Sequence, residues 1–391
     1  MKQKIILALL AFVCSLPCFA QSIGFPYTYK GQTVQYFIVG TVCQTLEGDV
    51  AHGMSANNIS GDLELPSEVF HPGLGWFPLK RIGSGSFYKN DALTSVIIPE
   101  SVTDIGDDAF RDCTSLSILE LPDSDCKIGS AAFSGCKNIK KLEFPESLTS
   151  IGRNAFSGCT GLTSLEFPES QTSIGTDAFS GCTGLTSLEF PESWITIPNA
   201  FSGCTGLTSL EFPKSLTSIY GDAFSGCTGL TSLEFPKSLT SIGRNAFSGC
   251  TGLTSLSFPE SLTSIESSAF SGCTGLTSLE FPESWTTIPS AFSGCTGLTS
   301  LEFPESLTSI ESSAFSGCTG LTSLEFPESL TSIGTNAFKG CTGLTSLEFP
   351  ESWITIPGAF SGCTGLTSLS FPESLTSIES SAFSGCTGLT S

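Results

Sequence analysis

Histidine is almost missing from this sequence, and basic residues are scarce. His52 and His71 are the only two histidines in 391 residues, and neither has a second ligand group at metal-binding spacing. Serine and threonine are abundant, yet without a neighbouring base their hydroxyls have nothing to make them nucleophiles. No GxSxG, HExxH or phosphate-loop pattern is present, so no catalytic class and no cofactor is indicated. Sixteen Lys and Arg stand against 37 Asp and Glu, a net charge of −21, which excludes the clustered cations that a nucleic-acid backbone demands. CxxC spacing is absent, which removes zinc and dithiol redox chemistry. Beyond the first twenty residues no run is long and apolar enough to cross a membrane as a helix.

What is there is a repeat. Cysteines fall at 113, 136, 159, 182, 204, 227, 250, 273, 295, 318, 341, 363 and 386, every interval being 22 or 23 residues. The unit from Cys159 to Gly181 reads CTGLTSLEFPESQTSIGTDAFSG, and nearly everything from Gly61 onward is a copy of it. A unit this short cannot bury its own apolar face and must stack on its neighbours, so chain length sets the extent of a solenoid and not a domain count.

Within the copy, Leu162, Leu165 and Phe167 have strand spacing and point inward, while Ser164 and Glu166 point out and Pro168 ends the strand. Ile174, Ala178, Phe179 and Cys182 fill the inside of the second half. The glycine after the isoleucine (Gly152, Gly175, Gly243) permits a tight turn, and the segment DAFSG suits one helical or 3-10 turn. Two short β segments and one such turn per coil are expected. The position of Leu148 holds Asp125, Gln171 or Trp in other copies, which places it at the rim. Three copies are one residue short, and these carry Trp194, Trp285 and Trp353 together with Pro198, Pro289 and Pro357. Either proline tightens the turn while the indole covers the gap, or the tryptophans form an aromatic ligand patch. The short copies lie three or four coils apart, roughly 14 to 19 Å, too far to share one small ligand.

The unit LxxLxFPxxLxxIxxxAFxxC resembles the Treponema pallidum type leucine-rich repeat of BspA-like surface proteins, over Gly61 to Ser391. The resemblance implies an exported bacterial protein with a right-handed, β-rich leucine-rich-repeat solenoid used in adhesion or host-protein binding. Binding residues are not implied, because the repeat is a scaffold.

Around the repeat, residues 1–20 read as a signal peptide: Lys2 and Lys4, an apolar run from Ile5 to Val13, then small residues to Ala20. A lipoprotein signal at Cys18 or Cys14 is the alternative, against which Pro17 and Val13 speak. Residues 21–60 form a β-rich N-terminal cap, with a hairpin of Tyr27 to Lys30 and Thr33 to Val39 about Gly31 and Gln32, and a further strand near Thr41 to Leu46. Residues 61–391 are the solenoid, with an insertion containing Trp76, expected to cover the first coil. Ser391 falls inside a strand half, so the last repeat is incomplete and its open coil is a candidate for self-association.

The marker cysteines would stack one strand spacing apart with parallel side chains, which favours a ladder of buried thiols over disulfides. Glu120, Glu143, Glu166, Glu189, Glu211, Glu234, Glu280, Glu302, Glu325 and Glu348 share one outward strand phase, broken by Ser257 and Ser370. Such a row is either a solvated face or a cation site; no copy supplies the oxygen cluster calcium prefers. A glutamate pair such as Glu166 and Glu169 could meet glycosidase geometry, but it recurs from coil to coil as a structural motif does. The expected function is an extended protein-binding or adhesion surface. The partner would be a host matrix or cell-surface protein, met by Glu143, Glu166, Glu189, Glu211, Glu234, Glu280, Glu302, Glu325 and Glu348 with Trp194, Trp285 and Trp353. The competing class is a non-binding structural or antigenically variable array.

Overall fold

Alternating apolar and polar residues at two places in each 22- or 23-residue copy make two extended segments, and the rest of the copy is turns. The computed structural model describes residues 23–39, 42–45, 59–170 and 173–390; the expected signal peptide and His52 lie outside the described residues. Two compact units, Met1–Phe179 and Ser180–Ser391, divide the chain. Each is a β-solenoid.

In the first unit β1 (Ile23–Tyr29) and β2 (Gln32–Val39) form an antiparallel hairpin, and β3 (Val42–Thr45) adds antiparallel to β2. Lys30 and Gly31 at the hairpin turn both have positive φ (48° and 82°), which matches the right-handed strand twist. β4 (Gly61–Glu64), β5 (Glu68–His71), β6 (Gly75–Ile82) and β7 (Leu93–Ile97) follow. β3 pairs in parallel with β6, and β6 begins a parallel ladder that continues through Asp104–Ile105, Lys127–Ile128, Ser150–Ile151 and Ser173–Ile174. The insertion is the β5–β6 hairpin. Trp76 does not cover the first coil: it is 61% exposed and packs on Phe70, its cross-strand partner, at 5.3 Å. The outward pleat of a two-stranded hairpin has no facing layer to bury it.

In the second unit the corresponding two-residue strands form three parallel ladders: Thr196–Ile197 to Ser264–Ile265, Thr287–Ile288 to Ser332–Ile333, and Thr355–Ile356 with Ser377–Ile378. The other strand position pairs in register where Ser255–Ser257 meets Ser278–Glu280 and where Ser346–Glu348 meets Ser368–Ser370. At 233–235 and 324–326 no ladder forms, and single bonds such as Thr231 N to Thr208 O at 3.1 Å hold the spacing.

Phenylalanine fills the centre. Phe87, Phe110, Phe133, Phe156 and Phe179 stack at 4.8 to 5.5 Å in the first unit. In the second, Phe201 to Phe383 stack at 5.4 to 5.9 Å. The Leu148 column belongs to this core and not to the rim: Leu148, Leu216, Leu239, Leu262, Leu307 and Leu330 are at most 2% exposed. At Asp125 the chain shifts by one residue, so that Asp125 faces water and Cys126 takes the inward place, while Gln171 lies outside the described residues.

The expected helical turn is replaced by a chain of β-turns; no helix of either kind occurs among the described residues. Ala155 N bonds Gly152 O, Ser157 N bonds Asn154 O and Cys159 N bonds Phe156 O, while the alternate N–H groups of Asn154 and Phe156 bond Thr176 O and Ala178 O of the next coil. Every second residue therefore serves the stack, which a helix could not do. The geometry needs a left-handed residue in each regular coil, such as Asn154 at φ 54° or Asp177 at 57°. The glycine two residues earlier has a different reason from the expected one. A Cβ on Gly243 would lie 2.5 Å from Gly221 N in the preceding coil, while Tyr220, Glu266 and Glu311 hold the same position elsewhere, so the glycine answers a local approach and not a requirement of every coil.

Some coils place serine at the left-handed position, as at Ser313 with φ 59°, where a side chain without an amide or carboxylate has little to offset the strain. Ser313→Asn should raise stability by about 0.5 kcal/mol, and Asn336→Ser in the next coil should lower it by about as much. Denaturant midpoints measure both. Midpoints that do not move in opposite directions would count against this account.

Candidate binding surface

The outward strand positions build one continuous feature in each unit. Along the segment SLE the leucine is buried and the flanking serine and glutamate are exposed, so the pleat sends every carboxylate of this phase into water. Glu143 and Glu166 stand so in the first unit, and Glu189, Glu211, Glu234, Glu280, Glu302, Glu325 and Glu348 in the second. Parallel pairing without shift places Glu280 beside Ser257 and Glu348 beside Ser370. In the first unit Lys141 hydrogen-bonds Glu143 and holds its carboxyl below the usual range. No group of His, Cys, Asp and Glu among the described residues is arranged to hold a metal ion.

The tryptophans do not join this surface. Trp194 and Trp353 are 7% and 6% exposed and pack on strand phenylalanines, Phe190 and Phe349, at 5.7 and 5.6 Å. Trp285, half-buried, lies 5.3 Å from Phe258. They are core residues because the Leu148 column is core. The local sequence hid this depth, since a column that also admits Asp125 reads as peripheral.

The cysteine column is a set of buried free thiols. Thiols along the column donate to a phenylalanine carbonyl of the preceding coil, as Cys250 Sγ does to Phe224 O at 3.2 Å, while that carbonyl also accepts Cys227 N at 3.2 Å. One oxygen with two lone pairs thus ties two coils together. Burial pushes the Cys227, Cys273 and Cys318 thiols up to about 12, and Cys204, Cys250 and Cys295 higher still. His71 is structural: its ring meets Phe25 edge-on at 4.9 Å, and its Nδ1 accepts Gly73 N at 3.1 Å.

The BspA type leucine-rich repeat region, a model of six copies, matches residues 80–204, 196–291 and 289–391. The chain belongs to this family. A BspA-type relationship also fits the solved structures it resembles. A leucine-rich repeat protein from Bacteroides ovatus is 31% identical, covers 95% of this chain and 93% of its own, and superimposes with a TM-score of 0.78. A leucine-rich cell surface protein from Faecalibacterium prausnitzii is 27% identical over 91% of this chain and 94% of its own, with a TM-score of 0.52. The pneumococcal vaccine antigen PcpA, at 19% identity over 92% of this chain and 95% of its own, has a TM-score of 0.52 and shares the fold. No curated protein matches the sequence. BspA-type coils thus supply a scaffold here, and serine, threonine and a glutamate row line its outward positions. Among the described residues no helix is long and apolar enough to cross a membrane.

Proposed function

We propose that this chain is exported by its first twenty residues and presents the glutamate-lined strand face to a basic, extended protein partner at the cell surface, with no catalytic role. The observation that carries this reading is the exposed, in-phase carboxylate row of the second unit, from Glu189 to Glu348. Its neighbours are short Ser and Thr side chains, which lose little conformational entropy when a partner orders them. A net charge of −21 with few cations favours capture of a positively charged surface and a fast, salt-sensitive encounter. The family and the surface location stated for the Faecalibacterium protein support export.

The test immobilises the full chain and passes over it purified matrix and cell-surface proteins of graded isoelectric point. For the partner that binds, changing Glu189, Glu211, Glu234 and Glu302 together to Gln should weaken binding at least about fivefold and flatten its salt dependence. Changing Glu192, Glu283, Glu305 and Glu351 of the second glutamate row should do less. Equal losses from the two sets defeat the strand-face reading, and binding by none of the proteins favours a structural array.

A further inference from the structure

Two of the short coils interrupt the solenoid in the same way. In a regular coil the residue after the strand isoleucine donates its N–H to the isoleucine carbonyl of the coil before, as Gly243 N does to Ile219 O at 2.8 Å and Glu311 N to Ile288 O at 2.9 Å. In the short coils that residue is Pro289 or Pro357, which has no N–H to give. The parallel ladder therefore stops at Ser264–Ile265 and restarts at Thr287–Ile288, and it stops again at Ser332–Ile333 and restarts at Thr355–Ile356. Among the described residues no backbone hydrogen bond joins 263–265 to 286–289, or 331–333 to 354–357. The indole bridges each break from the core side: Trp285 Nε1 donates to Leu262 O at 3.0 Å and Trp353 Nε1 to Leu330 O at 2.6 Å.

Each break opens a surface notch, of about 570 Å³ at the first and about 480 Å³ at the second. Their floors are apolar. At the first, Ile265 is half-buried where Ile242 and Ile288 are fully covered, and Pro289 and the half-buried Trp285 line it too; at the second, Ile333 and Trp353 lie deeper, each 6% exposed, beside Pro357. Their walls carry hydroxyls and two carboxylates each. Glu260 and Glu311 stand at the first notch and Glu328 and Glu379 at the second; no Lys or Arg lines either. Glu311 and Glu379 are held in place by reaching back to Ser290 N and Gly358 N, each at 2.9 Å. The Ile265 carbonyl lacks the N–H that Pro289 cannot give, and no backbone donor among the described residues reaches Thr263 O.

A site rich in acceptors over an apolar floor selects a ligand that only donates and carries a methylene stem. Guanidinium does this with five donors in a fixed plane, and it meets carboxylates in pairs where an ammonium acts as a point charge. We propose that the two notches are paired subsites for arginine side chains of one extended partner segment. They lie three coils apart, roughly 14 Å at about 4.8 Å per coil, and an extended chain covers that in about four residues at about 3.4 Å each. Four is an even number, so both arginines leave the segment on the same side. These walls are not the glutamates of the strand face, and this inference stands or falls apart from that one.

The test titrates the full chain with short, otherwise uncharged peptides and reads binding by calorimetry and by indole fluorescence. A peptide with arginines four residues apart should bind about tenfold tighter than one with arginines three apart, and than its citrulline counterpart. The pair Glu260→Gln and Glu328→Gln should remove about tenfold of that affinity, while Glu234→Gln with Glu302→Gln on the strand face should change it less than about twofold. The idea is overturned if the two arginine spacings bind alike, if citrulline binds as well, or if both pairs of substitutions lose the same amount. The comparison of spacings needs no variant, so it holds even if a substitution disturbs folding.

Discussion

Above about pH 9 the second unit is expected to unfold, in a transition far steeper than one titrating group produces. The thiols from Cys204 to Cys363 are buried, and each carries a pKa raised by burial, to about 12 for Cys227, Cys273, Cys318 and Cys363. In the unfolded chain a thiol titrates near about 8.5. A group whose pKa is higher folded than unfolded contributes stability that is whole below the unfolded value and is lost as pH rises towards the folded one. The loss approaches about 1.4 kcal/mol per pH unit for each thiol once pH exceeds the unfolded value. Eight thiols in this column together forfeit on the order of 10 kcal/mol by pH 10, which rivals the entire stability of an ordinary domain. Circular dichroism against pH, with thiolate absorbance recorded alongside, measures it. Both signals should change together, and at neutral pH an alkylating reagent should modify these thiols only after denaturation. Thiolate appearing gradually while the fold persists to pH 11, or a non-reduced unfolded chain that resists alkylation because it is disulfide-linked, would overturn the account.

The second large effect is expected from Phe247→Ala. Phe247 is fully buried, stacks on Phe224 at 5.5 Å and Phe270 at 5.4 Å, and meets Phe235 edge-on at 5.9 Å. Removing the ring leaves a cavity between coils that cannot collapse, since their backbone spacing is held by Phe247 N to Ala269 O at 2.8 Å and Gly249 N to Ser271 O at 2.7 Å. The loss should be about 3 to 5 kcal/mol. In a linear array stability is a sum of coil and nearest-neighbour terms, so a weak coil lets its two sides unfold separately. Denaturant curves should therefore broaden or split, and proteolysis should cut near residue 247. Phe235→Ala, at a half-buried strand position, is the comparison and should cost less. A sharp single transition with a midpoint equal to that of the Phe235 variant would refute the prediction.

Much of the molecule was legible without coordinates because its long-range contacts are copies of one local pattern. The 22- or 23-residue period fixes which coil lies on which. The alternation around Leu165 and Phe167 sets inside from outside, and the cysteine phase puts the thiols with the phenylalanines. The glutamate row followed from the same alternation, since a residue between two inward positions of a strand must face out. Family membership was readable in the spacing of IxxxAF and Cys.

Tertiary structure decided what depends on the coil next door. Turn conformation was one such matter: the run DAFSG has helical propensity, but the carbonyls of the adjoining coil compete for its N–H groups and win every second one. The depth of the Leu148 column was another, because a slip of one residue brings Cys126 inward where Asp125 stands in register. The pairing of Trp with Pro, and an indole covering the gap, were readable in the sequence; which hydrogen bond is lost was not. Pro289 withholds an N–H from a carbonyl 24 residues earlier, at Ile265, and the indole of Trp285 closes the break 23 residues back, at Leu262. A local pattern determines a residue's side of the strand; whether a hydrogen-bond donor is missed depends on which acceptor the stacking brings opposite it.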